Sequence, residues 1–105
     1  MTEALVVISS CDDAAAARQI ADTLVREDLA ACVSLVSGVE SIYRWQGQLT
    51  RTTETLLIIK CLARNHEALS ARLHALHPYT VPELLALPVT HVNATYLAWM
   101  EQRNA

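Results

Sequence analysis

Cys11, Cys32 and Cys61, together with His66, His74, His77 and His91, are the side chains best suited to soft-metal or nucleophilic chemistry in this sequence. Their spacing is informative. Neither a CxxC pair nor an HxxxH pair occurs, so a structural zinc site is not expected. An odd cysteine count argues against a disulfide framework and suits a reducing compartment. Cys32 and Cys61 sit inside apolar runs and read as core thiols. Cys11 follows the first apolar run at a loop entrance, so it is expected to be the most reactive thiol. Cys11 and His77 can be imagined as nucleophile and base, but no third group stands ready to orient the pair. Two glycines in the whole chain leave no phosphate-binding loop. Catalysis is therefore not expected. His66 and His74 lie eight apart on a helical stretch and read as solvent-facing; His91 follows the last strand.

A second group of residues suggests a ligand cleft. Lys60, the one lysine, ends an apolar strand; Glu83 opens another, close to Tyr79 and two prolines. Glu54, Tyr43 and Trp45 belong to a long hairpin. Lys60, Tyr79 and Glu83 are the candidates to line a cleft between subunits. The competing reading is an ion pair or a hydrogen-bonded strand end that fixes subunit contacts. Pro78 and Pro82 order the connecting loop in either case.

The elements that must position these residues follow from periodicity. Ala4 to Ser10 is a short β-branched run, read as a buried strand. Asp12 and Asp13 are good caps for a helix whose apolar face is Ala17, Ile20, Ala21, Leu24 and Val25. Extended character returns over Ala30 to Val36 and again over Val39 to Trp45, with Ser37-Gly38 between them marking a bulge or bend. Gln46-Gly47-Gln48 reads as a hairpin turn, and the return strand runs from Leu49 to Leu62. A helix is expected over Arg64 to Leu76, capped near Asn65, with Leu69, Leu73 and Leu76 as its stripe. The prolines exclude helix from His77 to Pro82. A fourth strand over Glu83 to Val89 and a short helix after Asn93, carrying Tyr96, Leu97 and Met100, close the chain. This order predicts an α+β fold: the split βαβ sandwich of ferredoxin-like domains, with a long central hairpin and a C-terminal helix.

Size and composition narrow the function. The 105 residues suit a single domain spanning 1–105. Hydrophobic residues make up 52% and charged residues 18%, leaving an apolar surplus that subunit contacts can absorb. A strand of this length would extend about 45 Å at roughly 3.3 Å per residue. A domain of this size is about 30–35 Å across. The hairpin must therefore bend or protrude, carrying Ile42, Tyr43, Trp45 and Leu49 with it. Exposed apolar strands aggregate unless another chain covers them, so a partner subunit is expected. A net charge of −3 and dispersed basic residues make nucleic acid a poor partner. No apolar stretch reaches the roughly 20 residues of a membrane span. The chain begins Met1-Thr2-Glu3-Ala4 without a basic leader, so a cytoplasmic location is expected.

Six segments carry a resemblance in order and spacing. They are Leu29-Ala30-Ala31-Cys32-Val33, Val39 through Gly47, Leu57-Ile58-Ile59-Lys60, His77-Pro78-Tyr79, Val81-Pro82-Glu83 and Leu87-Pro88-Val89, and Tyr96-Leu97-Ala98-Trp99 closes the set. Together they resemble the CutA family of divalent-cation tolerance proteins, from about Leu5 to Trp99. The resemblance implies a homotrimer, similar in architecture to PII signalling proteins, and a role in tolerance of divalent metal ions, copper above all. It does not imply an enzymatic activity or a required cofactor. Some bacterial relatives are assigned a copper site of one Cys and two adjacent His. Here His77 matches the second His, Leu76 replaces the first, and the Cys position falls on Ser9, with Cys11 two residues later. Weak Cu(II) binding through His77 and Cys11 is the metal expectation. A small-molecule sensor of the PII kind and a trimeric scaffold for another protein are the alternatives.

Overall fold

The structure is a computed structural model and describes residues 3–102. Met1, Thr2 and Arg103, used above in reading the leader and the charge, lie outside the described residues. Strand β1 (Ala4–Cys11), helix α1 (Ala14–Arg26), the hairpin strands β2 (Cys32–Trp45) and β3 (Gln48–Leu62), helix α2 (His66–Leu76), strand β4 (Leu85–Pro88) and helix α3 (Ala94–Gln102) follow in that order. The sheet order is β2-β3-β1-β4, with every neighbouring pair antiparallel. The expected α+β order is thus the observed one. Among the described residues, no helix is long and apolar enough to cross a membrane.

Asp13 caps α1: its Oδ1 accepts from the N–H groups of Ala15 and Ala16 at 2.9 and 3.2 Å. The predicted face of α1 is buried at Ala17, Ile20, Ala21 and Leu24, whereas Val25 sits at its margin, 39% exposed. Arg72 of α2 grips Glu27 at the end of α1 through two 2.9 Å hydrogen bonds, so the helices are clamped side by side. Asn65 makes no side-chain cap; a turn of 3-10 helix over Ala63–Asn65 leads into α2 instead. Strand β4 is shorter than expected. Glu83 lies before the ladder, and its carbonyl accepts from Ser9 Oγ at 2.8 Å.

Alternation along β1 and β3 gives the sheet two faces. Val7, Cys11, Leu57, Ile59 and Cys61 face α1 and α2 and form the main core with Ile20, Leu24, Leu69 and Leu73. A smaller cluster of Ala4, Ala31, Leu62 and Met100 seats α3 at one end of the sheet. Leu85 and Leu87 of β4 stay 58% and 48% exposed.

The bulge expected at Ser37-Gly38 is present. Val36 pairs with Leu56 and Val39 with Glu54, so β2 advances three residues while β3 advances two. Gly38 takes φ +76°, a region that suits glycine. One extra residue reverses the parity of β2. Before the bulge, odd-numbered Val33 and Leu35 pair with the helix-facing Ile59 and Leu57. Beyond it, odd-numbered Ser41, Tyr43 and Trp45 pair with Thr52, Thr50 and Gln48, on the other side of the ladder. The molecule extends 45 Å along its long axis against 26 and 23 Å across, as the hairpin length requires.

Candidate functional site

The loop from His77 to Glu83 crosses the end of β1 on its way from α2 to β4. His77 anchors it. This side chain is 7% exposed, with Nε2 2.8 Å from the Ser10 carbonyl. Its Nδ1 accepts the N–H of Tyr79 at 3.1 Å. A carbonyl can only accept and an N–H can only donate, so these bonds require the Nε2–H tautomer. The Tyr79 ring meets the imidazole edge-on, 4.6 Å between centroids.

The Tyr79 hydroxyl then bridges two elements. It donates to Glu54 Oε2 at 2.7 Å and accepts the N–H of Asp12 at 2.9 Å. Burial raises the Tyr79 pKa, reinforced by the Glu54 carboxylate that its proton serves. Glu54 itself is 7% exposed on β3. Partial desolvation also lifts the Glu83 carboxyl above its ordinary value, although the residue as a whole is exposed, with the Glu54 charge adding to the shift. Between this loop and the hairpin lies a cleft of about 520 Å³, lined by Ser10, Asp12, Ser41, Ile42, Tyr43, Trp45, Glu54, Tyr79, Thr80, Val81 and Glu83. Among the described residues its lining contains three carboxylates and no Lys, Arg or His.

The structure therefore brings Tyr79 and Glu83 together and leaves Lys60 apart within the chain. Lys60 Nζ donates to Ser34 Oγ at 2.7 Å, well down the sheet where Lys60 pairs with Val6 and Cys32. Glu54, assigned only to the hairpin from sequence, is the missed member of the site. A lone carboxylate between a Thr-rich half-strand and the run Leu56 to Ile59 was the signal that could have selected it.

Cys11 requires a correction. Its side chain is fully buried and faces the helices, not the loop. Desolvation raises its thiol pKa, and the charges of Asp12, Asp13 and Glu54 add to that effect, opposed by a backbone hydrogen bond at Asp13. Cys61 is likewise buried, its pKa pushed up to about 11 by desolvation. Cys32 is the partly accessible cysteine, contrary to expectation. The nucleophile–base reading of Cys11 with His77 loses its geometry: the thiol is in the core and both imidazole nitrogens are bonded. Among the described residues, no group of three or more His, Cys, Asp or Glu side chains is arranged to hold a metal ion. His66 is only half-exposed, with Nδ1 buried and unbonded.

Comparison with known proteins decides the family. Residues 5–103 match the CutA1 divalent ion tolerance protein family. The chain belongs to that family. It is 46% identical over 97 residues to the divalent-cation tolerance protein CutA of Thermus thermophilus, covering 92% of this chain and 94% of that protein. The CutA of Citrobacter koseri is 42% identical over 98 residues, 93% of this chain and 85% of that protein. Among solved structures, CutA from Xylella fastidiosa superposes with a TM-score of 0.93 at 41% identity, covering 95% of this chain and 96% of that one. The Thermus thermophilus structure gives 0.88 at 47% identity, with 91% and 93% covered. The Thermus thermophilus and Citrobacter koseri relatives are named for cation tolerance, not for an enzymatic reaction.

Proposed function

We propose that this CutA1-family chain works as a non-catalytic, cytoplasmic homotrimer in the response to divalent metal ions, copper foremost, with a trimer architecture similar to PII proteins. The family match across residues 5–103 carries the tolerance role. The hairpin supports the assembly. Ile42, Tyr43, Trp45 and Leu49 are 52%, 40%, 53% and 65% exposed, on the outer part of the hairpin. Apolar strands in that state need a second chain. Light scattering should give three times the chain mass at micromolar concentration; a stable monomer would end this reading.

Copper binding at the His77 loop is weak in this proposal. His77 must release the Ser10 carbonyl or the Tyr79 N–H before either nitrogen can meet a metal. Leu76 offers no second imidazole, and the buried Cys11 thiol offers no ready thiolate. Cu(II) should still outrank other first-row divalent ions at a nitrogen ligand. Calorimetric titration should show weak Cu(II) binding that His77→Ala lowers and Leu76→His raises. Equal binding by parent and His77→Ala would remove the loop as the metal site and make the tolerance role indirect. The acidic cleft favours a second reading, a sensor of a small molecule, whose chemistry is taken up next.

A further inference from the structure

The cleft between the hairpin and the 77–83 loop has the volume of a small-molecule site, about 520 Å³ within the usual range. Among the described residues its charge has one sign: Asp12, Glu54 and Glu83, with no cationic side chain in the lining. Glu54 is more than nine-tenths buried. Its Oε2 is held by the Tyr79 hydroxyl, the one hydrogen bond its carboxylate makes among the described residues, and Glu54 belongs to the cleft lining. A mostly buried carboxylate with one hydrogen bond keeps spare acceptor capacity, and a cationic hydrogen-bond donor is the ligand that uses it best. Tyr79 is itself locked by the Asp12 N–H, so the carboxylate is aimed before any ligand arrives.

The hairpin side of the cleft also carries aromatic rings. The Gly38 bulge turns Tyr43 and Trp45 to the side of the ladder that carries Glu54, where both line the cleft. Aromatic faces attract cations, tryptophan most strongly. A hard divalent ion wants six or more oxygens, and the acidic groups here do not converge into such a set. An alkylammonium ion needs one or two carboxylates and a π face, and both are present.

We propose that this cleft binds a small organic ammonium ion, its charged nitrogen between Glu54 and Glu83 and its alkyl groups against Tyr43 and Trp45. The proposal rests on the small-molecule reading of the cleft and names its ligand class. It uses residues of one chain; packing of a neighbouring subunit on the hairpin would close the open side.

Calorimetry on the full chain tests it, with n-butylammonium and tetramethylammonium as probes and butyrate, n-butanol and Mg²⁺ as contrasts. Saturable binding of an ammonium probe is expected, with about tenfold or greater weakening in Glu54→Gln, from the usual worth of a charge-assisted hydrogen bond. Glu83→Gln, on an exposed residue that tolerates change, should also weaken it, and Trp45→Leu should weaken it several-fold. Far-UV circular dichroism confirms that each variant is folded. Ammonium binding that survives Glu54→Gln and Glu83→Gln unchanged overturns the proposal. Glu54-dependent binding of Mg²⁺ in place of the ammonium probes does so as well. Binding of butyrate or butanol alone refutes the ammonium class and spares the small-molecule reading. Failure of every probe removes both.

Discussion

Strand β3 is one continuous ladder with two unlike halves. From Glu54 to Leu62 its side chains are buried or half-buried, alternating from Thr55 to Cys61, with Leu57, Ile59 and Cys61 sealed under the helices. From Gln48 to Thr53 the same strand has no helix over it, and Leu49 is 65% exposed. Backbone pairing with β2 is maintained through both, apart from the bulge at Val36/Val39. Hydrogen bonding therefore sets strand length, and side-chain cover sets where the domain's own core ends. The junction falls at Glu54, where the cleft begins.

The comparison is sharpest in mutational stability. Leu57→Ala should cost about 2–5 kcal/mol in urea unfolding, because a fully buried leucine loses its transfer energy and leaves a cavity. At the junction, Tyr79→Phe should cost about 1–2 kcal/mol, since the ring stays but Glu54 and the Asp12 N–H each lose a partner. In the outer half, Leu49→Glu should change the stability of the single chain by no more than about 0.5 kcal/mol, as an exposed substitution normally does. The same variant should reduce the mass seen by light scattering. A large loss of chain stability at Leu49 would show that the outer half is covered by its own chain and would collapse the distinction.

Thiol labelling probes the covered half without altering it. Cys32 should react first in native protein, whereas Cys11 and Cys61 should wait for unfolding. Simultaneous labelling of Cys11 and Cys32 would contradict the placement of Cys11 under the helices.

The smallest effect is electrostatic. Burial and the neighbouring Glu54 charge raise the Glu83 pKa above its ordinary value of 4.5, so the native state holds that proton more tightly than the unfolded chain. Its contribution is full below about pH 4.5 and is lost as pH rises through the raised value. Glu83→Gln should thus gain stability relative to the parent across that rise. A parent-to-variant difference that does not change with pH, followed by thermal unfolding from pH 4 to 7, would refute this.

Local structure was legible because its causes are local. The Asp13 cap, the apolar face of α1, the bulge at Gly38 and the order of the strands all depend on residues within a few positions of one another. The protruding hairpin was legible from arithmetic, since strand length exceeds domain width. Cys11 could have been placed correctly: it shares the parity of Leu5 and Val7, and alternation puts it on their face. Its position at a strand end suggested exposure, but a helix packed across that face decides accessibility. The site was beyond sequence reading for a different reason. Tyr79 and Glu54 are 25 residues apart, and Tyr79 and Asp12 are 67 apart. No periodicity couples such positions; the path of the loop over the end of β1 does. Sequence alone determined the elements, their order and the family, because these follow from local preference and ordered motifs. Which face each thiol takes, the separation of Lys60 from Glu83, and the meeting of Glu54 with Tyr79 were decided by tertiary structure, because sheet parity and loop path become defined only when distant segments pack.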